Sequence, residues 1–93
     1  MFIYVVKIKI HIPWSHSLKE KRMVLKSICS KVRNKFNVSI AEVEEQDIHQ
    51  IMVLAYSFVT IDKSHGDSIY EHTLQFIEGI TEGEIIFINK EIY

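Results

Sequence analysis

Cations recur along one segment of the sequence at a spacing that suits binding of a polyanion. At roughly 100° per residue, a helix through this segment places Lys19, Arg22, Lys26 and Arg33 within about 60° of arc, with Lys21 close by in the chain. No glutamate lies four residues from any of these four cations. Like charges at that spacing destabilise a helix by about 0.2–0.5 kcal/mol per pair. The stripe therefore suggests an anionic partner, and phosphate is the commonest one.

Charge is divided unevenly along the chain. Residues 1–37 carry nine lysines and arginines against one acid, residues 38–93 carry two against eleven, and the net charge is −1. Such a division is typical of a protein with a polyanion-binding surface. It is also expected of two faces that attract each other in an oligomer, or of a basic helix face that is solvated or paired with acids of its own chain. The sequence leaves these alternatives open.

The turn before the basic segment offers further contacts to a nucleic acid. Ser17 stands three residues before Glu20, which is the pattern of a capping box, and a helix N-terminus presents free N–H groups to an anion. Trp14 has a ring on which a nucleobase could stack. The competing interpretation is a simple helix cap and a tryptophan folded over the edge of the core.

An aromatic pair later in the chain resembles RNA-recognition motifs only loosely. Tyr56 and Phe58 lie two residues apart in a predicted strand, as the base-stacking aromatics of those motifs do. The basic and glycine positions of such motifs are occupied here by Leu54 and Ala55. Burial in the core is therefore the favoured interpretation of both aromatic rings.

No residue pattern indicates catalysis, a metal or a cofactor. The five histidines lack the close cysteine or carboxylate companions that zinc sites use. The single cysteine, Cys29, falls in an apolar helical stripe and is predicted to be buried, while the acidic turn 44–49 is predicted to be solvated. There is no phosphate-binding loop, dinucleotide fingerprint or nucleophile elbow. We therefore predict a non-enzymatic protein without metal or cofactor.

Hydrophobic periodicity predicts six elements in the order β-α-β-β-α-β. Alternation predicts strands at residues 2–12, 38–43, 50–61 and 84–92. Helical spacing predicts a first helix at residues 18–35, with Asn37 as a left-handed stop. A second amphipathic helix is predicted to begin at Ser64 as N-cap and to end at Gly79 or Gly83.

This order predicts one domain over residues 1–93, of α+β class and ferredoxin-like fold. The expected architecture is a four-stranded antiparallel sheet with both helices on one face, which leaves the other face bare in a monomer. Apolar residues out of phase with the core would form a patch on that face, and such patches usually bind partners. We predict a homodimer through Ile3, Val5, Val43, Ile85 and Phe87.

Composition is that of an ordinary globular domain, with 47% hydrophobic and 25% charged residues. No apolar run approaches the roughly 20 residues of a membrane-spanning helix, and the first residues do not have the pattern of a secretory signal. A single cysteine allows no internal disulfide. We expect a cytoplasmic protein that does not associate with membranes.

Several short segments occur in a fixed order: His11-Ile-Pro, Ser17-Leu-Lys-Glu-Lys-Arg22, Asn34-Lys-Phe-Asn-Val-Ser-Ile-Ala-Glu42, Gln46-Asp47 and Gln50. Together they resemble the YlxP-like family, a bacterial family of unknown function, and the resemblance covers essentially the whole chain. It implies a ferredoxin-like fold. Because members are often encoded among translation and ribosome-maturation genes, it also implies association with RNA or the ribosome. The family has no established activity, so no catalytic residue is implied.

The family motif maps here onto a defined set of positions. These are Ser17, Leu18, Lys19, Lys21, Arg22, Asn37 and Glu42. Several of them would also cap or end the first helix, so structure alone could explain them. Trp14 and the pair of Tyr56 and Phe58 depart from the family pattern.

Three functional hypotheses follow. The leading hypothesis is that RNA or a ribosomal subunit binds to the cations of the first helix and to the start of that helix. The predicted contacts are Lys19, Lys21, Arg22, Lys26, Arg33, Ser17 and Trp14. Lys7 and Lys9 are predicted as further cations. Four to six such contacts to single-stranded RNA predict a slope of log affinity against log salt of about −3 to −4. The alternative is a homodimeric protein-interaction module that uses the open sheet face. A phosphate-handling enzyme, by analogy with acylphosphatases of the same topology, is the third.

Overall fold

The computed structural model describes all 93 residues, Met1–Tyr93, and has the predicted order of elements. The strands are β1 (Phe2–His11), β2 (Ser39–Glu44), β3 (Ile51–Thr60) and β4 (Glu84–Ile92), and the helices are α1 (Leu18–Lys35) and α2 (Lys63–Ile80). The strands form one antiparallel sheet in the order β2-β3-β1-β4. Both helices pack on the same face of this sheet. The predicted ferredoxin-like fold is confirmed.

The hydrophobic core lies between the helices and one face of the two central strands. The inward residues are Tyr4, Val6, Ile8 and Ile10 on β1 and Met52, Leu54, Tyr56 and Phe58 on β3. None of these side chains is more than 7% exposed. The ring of Phe58 stacks on that of Tyr4 at a centroid distance of 4.8 Å. The prediction that Tyr56 and Phe58 are core residues is therefore correct, and neither ring is available to a nucleobase.

The first helix begins as predicted but ends by a different route. The hydroxyl of Ser17 accepts a hydrogen bond from the backbone N–H of Glu20 at 3.1 Å. At the other end, Phe36 has an extended backbone and its N–H donates to the carbonyl of Val32 at 2.8 Å. Asn37 is not left-handed, because Glu45 is the only residue with a positive φ. The prediction of Asn37 as a left-handed stop was wrong.

The second helix is capped by an acid two residues earlier than predicted. The carboxylate of Asp62 accepts from the N–H of His65 at 3.2 Å, so Ser64 lies inside the first turn and is not the cap. The negative charge of this carboxylate also interacts favourably with the positive N-terminal end of the helix dipole. Gly79 lies within the helix, which Thr81 terminates by donating its N–H to the carbonyl of Ile77 at 3.0 Å.

Gly83 likewise does not end the second helix. It follows the helix at the start of β4, where a Cβ atom would lie 2.6 Å from Cγ2 of Ile10. Close packing, rather than helix capping, accounts for the glycine at this position.

A β-bulge in β4 changes which face its side chains occupy. Ile10 pairs with Ile85, whereas the neighbouring Lys9 pairs with Phe87, so one extra residue is inserted into β4. Side chains of a regular strand alternate between faces, and an inserted residue reverses that phase. Ile85 consequently packs against the core, and Phe87 lies on the open face with 44% of its surface exposed. The prediction that Ile85 shares the open face with Phe87 was wrong.

Candidate nucleic-acid interface

The first helix has an inner face that packs on the sheet and an outer face that carries exposed cations. Ile28, Cys29 and Val32 are buried on the inner face. Lys19, Arg22 and Lys26 are exposed, as is Arg33 further along the helix.

Lys21, which was predicted to bind phosphate, is instead completely buried. Its ammonium donates to the backbone carbonyls of Glu45 and Ile48 at 2.8 Å each, and the carbonyl of Gln46 lies at 3.4 Å. Its Nζ is also 2.9 Å from Oε2 of Glu42. That carboxylate oxygen has no hydrogen-bond partner of good geometry, so its contact with the ammonium is one of charge. Lys21 cannot contact RNA, and its inclusion among the phosphate ligands was wrong.

The turn between β2 and β3 is built around this ammonium. Three carbonyls of a tight turn, those of Glu45, Gln46 and Ile48, converge on one point, and Lys21 supplies the donors that satisfy them. Glu45 lies in the left-handed region at φ 54°, a conformation that is strained for a residue other than glycine, and its carboxylate lies 3.3 Å from Nζ of Lys9. The acidic turn is therefore an organised part of the fold. The prediction that it is solvated is confirmed for its side chains, since every residue of 44–49 except the half-buried Glu45 is exposed.

One signal in the sequence could have identified Lys21 as buried. Lys21 follows Leu18 by three residues and precedes Leu25 by four and Ile28 by seven, which places it in the middle of the apolar stripe of α1. Glu42 shares the inward phase of Ile40 on β2. A cation in an apolar stripe and an acid in phase with a core strand indicate a buried pair, since charges are buried only with partners.

The remaining α1 cations have no acidic partner. No carboxylate lies within 4.0 Å of Lys19, Arg22, Lys26 or Arg33. Arg33 does use one nitrogen, Nη2, to donate to the carbonyl of Ile40 on β2 at 2.7 Å. A guanidinium has five N–H donors, so this anchor leaves others free while it orients the stripe toward the β2 side of the molecule.

The two cations of β1 are neutralised within the chain. Nζ of Lys7 lies 2.6 Å from the carboxylate of Glu44, and Nζ of Lys9 contacts Glu45. Both pairs lie on the sheet face opposite the helices. The sequence hypothesis that Lys7 and Lys9 extend the phosphate-binding surface of α1 receives no support from this arrangement.

Ser17 and Trp14 stand apart from the cation stripe. The hydroxyl of Ser17 is occupied as the helix cap, as described above. Trp14 is half-buried against the core and lines a groove of about 310 Å³ between α1 and the end of α2, together with Met23 and Ile80. This groove is on the α2 side of α1, whereas Arg33 places the stripe on the β2 side. Trp14 therefore covers the core edge, which was the competing interpretation of this residue.

The core side chains with the clearest pKa shifts have a structural role in packing. Burial and a hydrogen bond to Asp67 raise the pKa of Tyr4 to about 12, and burial raises the pKa of Tyr56 as well. Burial also raises the pKa of the Cys29 thiol, which disfavours the thiolate that a nucleophile needs. These groups lie within the hydrophobic core or contact it directly.

The open sheet face is apolar at one end and charged at the other. Ile3 and Val5 are partly exposed there, and Ile3 pairs with Val59, which is 64% exposed. Val43 lies at a second bulge, in β2, and is 41% exposed. Four of the five residues predicted to form a dimer interface are thus accessible, and Ile85 is on the other face.

Neither helix is long and apolar enough to span a membrane.

Comparisons with known proteins identify relatives of this chain and of its fold. A family model described as "Protein of unknown function (DUF503)" matches residues 3–90. The uncharacterised protein YlxP of Bacillus subtilis (strain 168) is 41% identical over 68 residues, which are 73% of this chain and 74% of that protein.

Solved structures of two de novo designed proteins are similar in fold. The solution NMR structure of LFR1 1, designed with a ferredoxin fold, matches 99% of this chain and 85% of its own with a TM-score of 0.60. The designed protein Foldit4 matches 99% of this chain and 94% of its own with a TM-score of 0.51. Both are 15% identical to this chain, so they establish the architecture alone.

Proposed function

The chain belongs to the DUF503 family of proteins of unknown function, and from this premise we propose that it is a non-enzymatic RNA-associated protein that binds phosphates through α1. The ligands are the four exposed cations Lys19, Arg22, Lys26 and Arg33, hereafter the α1 stripe. Ribosomal RNA is the first target to test, because the YlxP-like resemblance implies a gene neighbourhood of translation and ribosome maturation.

The observation that carries this proposal is the contrast between paired and unpaired cations. Lys7, Lys9 and Lys21 each have a carboxylate within 4.0 Å, and the α1 stripe has none. Four other lysines are also without a carboxylate, but only the stripe brings four such cations together on one helix face; the others are Lys31, Lys35, Lys63 and Lys90. Pairing within the chain was a competing interpretation of the basic helix, and these distances argue against it. A cluster of like charges without counterions raises the local potential and attracts a polyanion.

The dimensions of the stripe suit an extended phosphate backbone. Lys19 and Arg33 are fourteen residues apart, which corresponds to about 21 Å along a helix axis. The four side chains occupy about 60° of arc, so one ligand strand lying along α1 could contact all of them. Contacts of this kind fix position and supply affinity without reading sequence, so we expect little preference among RNA sequences.

We expect the protein to co-sediment with ribosomal subunits at low salt and to be released at high salt, because phosphate contacts depend on counterion release. Replacing Lys19, Arg22 and Lys26 by glutamate should abolish co-sedimentation. The measurement is the bound fraction at two salt concentrations for wild type and variant.

The matched control reverses three exposed lysines outside the stripe and so changes net charge by the same amount. They are Lys31 and Lys35, which lie on another face of α1, and Lys63 at the start of α2. This control should retain most of the binding. Equal loss in both variants would show that only net charge matters, and the α1 stripe would not be the site. If the stripe variant binds RNA normally but changes its oligomeric state, the cations serve a contact between copies and the RNA proposal fails.

A further inference from the structure

The two edges of the sheet are protected to very different degrees. The β2 edge is six residues long, carries a bulge and is tied to α1 where Arg33 donates to the carbonyl of Ile40. The β4 edge is nine residues long, and seven of the nine are exposed. Three of these are consecutive large apolar residues, Ile86, Phe87 and Ile88, with exposures of 49, 44 and 39%. Natural proteins rarely leave a long apolar edge strand uncovered, since it is a template for pairing.

The hydrogen-bond pattern shows which backbone groups of β4 are free. Tyr93 and Ile3 exchange both backbone hydrogen bonds, each at 2.8 Å. Bonded and non-bonded pairs alternate along an antiparallel ladder, so Phe87, Asn89 and Glu91 also bond to β1. The N–H and C=O groups of three intervening residues therefore point away from the sheet; they are those of Ile88, Lys90 and Ile92.

We propose that β4 pairs antiparallel with β4 of a second copy of this chain, with Lys90 at the two-fold axis. Lys90 is then opposite the partner's Lys90, and Ile88 is opposite the partner's Ile92. All three outward-pointing residues form bonded pairs, each of which exchanges two backbone hydrogen bonds. The two sheets become one sheet of eight strands, and the segment that pairs lies entirely beyond the bulge at Ile86.

Side chains in this register are complementary on both faces. Phe87 lies opposite the partner's Tyr93 on the open face, at a non-bonded position where side chains come closest, and aromatic pairs of this kind stabilise a sheet. Ile88 and the partner's Ile92 meet on the helix side. Each contact occurs twice because of the two-fold symmetry. The exposed apolar residues Phe87, Ile88 and Tyr93 are thereby covered.

The one unfavourable feature of this register is the pair of lysines at its centre, since like charges directly opposite destabilise a sheet. Nζ of Lys90, however, lies 4.5 Å from the ring centroid of Tyr70 on its own α2. That cation–π contact holds the ammonium over the helix layer and away from the axis.

This dimer is independent of RNA binding but has a consequence for it. Side chains paired across an antiparallel ladder share a face, so the helices of both copies lie on the same side of the joined sheet. The two α1 stripes would then be presented on one side of the dimer.

A cysteine at the axis tests the register directly. In the Lys90→Cys variant the two thiols belong to a bonded pair with Cα atoms about 5.5 Å apart, within the range that a disulfide spans. Mild oxidation should convert most of the protein to a covalent dimer. The control Glu84→Cys, on the same strand but before the bulge, should remain monomeric on a denaturing gel. The native Cys29 is buried and does not interfere.

Sedimentation equilibrium of two further variants separates edge pairing from packing of the open faces. Lys90→Pro removes an outward N–H and leaves the bonds to β1 in place, so it should weaken the dimer at least tenfold with an unchanged circular dichroism spectrum. Val59→Lys, on the open face of β3, should leave the dimer intact. A monomeric wild type without cross-linking at position 90 would overturn the proposal. So would a dimer that Val59→Lys dissociates and Lys90→Pro does not.

Discussion

Replacing Lys21 by methionine is expected to lower the free energy of unfolding by about 3–5 kcal/mol, the range found when one partner of a buried ion pair is removed. Methionine keeps most of the length and the apolar stem of lysine, so the packing of the inner face of α1 changes little. The loss arises because the carbonyls of Glu45 and Ile48 and the carboxylate of Glu42 are left without the fully buried ammonium that they contact. For a domain with a total stability of about 5–15 kcal/mol, this is a large fraction.

Denaturant unfolding at neutral pH measures this loss, and Lys26→Met is the matched control. Lys26 lies on the same helix but is exposed and unpaired, so its replacement should change stability by no more than about 0.5 kcal/mol. If Lys21→Met is as stable as Lys26→Met, the ammonium does not hold the turn between β2 and β3. Amide exchange should also accelerate at residues 45–50 in Lys21→Met, because their organising contact is gone.

Two glycines of α2 should respond to alanine with opposite signs. A Cβ atom at Gly66 would lie 2.3 Å from Cε1 of Tyr4, far inside van der Waals contact. Tyr4 cannot easily move away, since its hydroxyl donates to the carboxylate of Asp67 at 2.6 Å and its ring stacks on Phe58. Overpacking of this kind costs about 1–3 kcal/mol and exceeds the roughly 1 kcal/mol that alanine gains over glycine inside a helix.

Gly79→Ala provides the contrast, because nothing lies within 4 Å of a Cβ atom at that position. There the helix preference acts alone, and a stabilisation of about 0.5–1 kcal/mol is expected. Thermal unfolding of the two variants side by side gives the sign of each effect. A higher melting temperature for Gly66→Ala than for wild type would contradict the close approach of α2 to Tyr4.

The regular elements could be predicted because local signals coincide with tertiary demands. The capping pattern at Ser17 and the spacing of apolar residues give α1 the bounds that it has in the structure, Leu18–Lys35. Alternation gives β4 its observed bounds, Glu84–Ile92. The bulge within β4 has no such local signal, because it is a matter of how one strand pairs with another. The faces of Ile85 and Phe87 could therefore not both be predicted.

The site was predictable only in part, for a reason specific to lysine. Composition and helical spacing predict that the four cations of the α1 stripe share an exposed helix face, and the structure confirms their exposure, since exposed cations need no partner from the rest of the chain. Lys21 differs from them because its partners are mainly backbone carbonyls of a turn that is distant in sequence. Every residue has a backbone carbonyl, so the residue types do not reveal which carbonyls will bind an ammonium. A prediction based on charged side chains alone therefore groups Lys21 with the exposed cations of α1.

The salt dependence of binding to a short unstructured RNA tests the central claim most directly. Each phosphate contact to single-stranded nucleic acid contributes about −0.7 to the slope of log affinity against log salt, so the four cations of the α1 stripe predict a slope of about −3. Reversing Lys19, Arg22 and Lys26 should weaken binding strongly and flatten the slope of whatever binding remains. A wild-type slope near zero, or an unchanged slope in the reversed variant, would contradict phosphate binding by the α1 stripe.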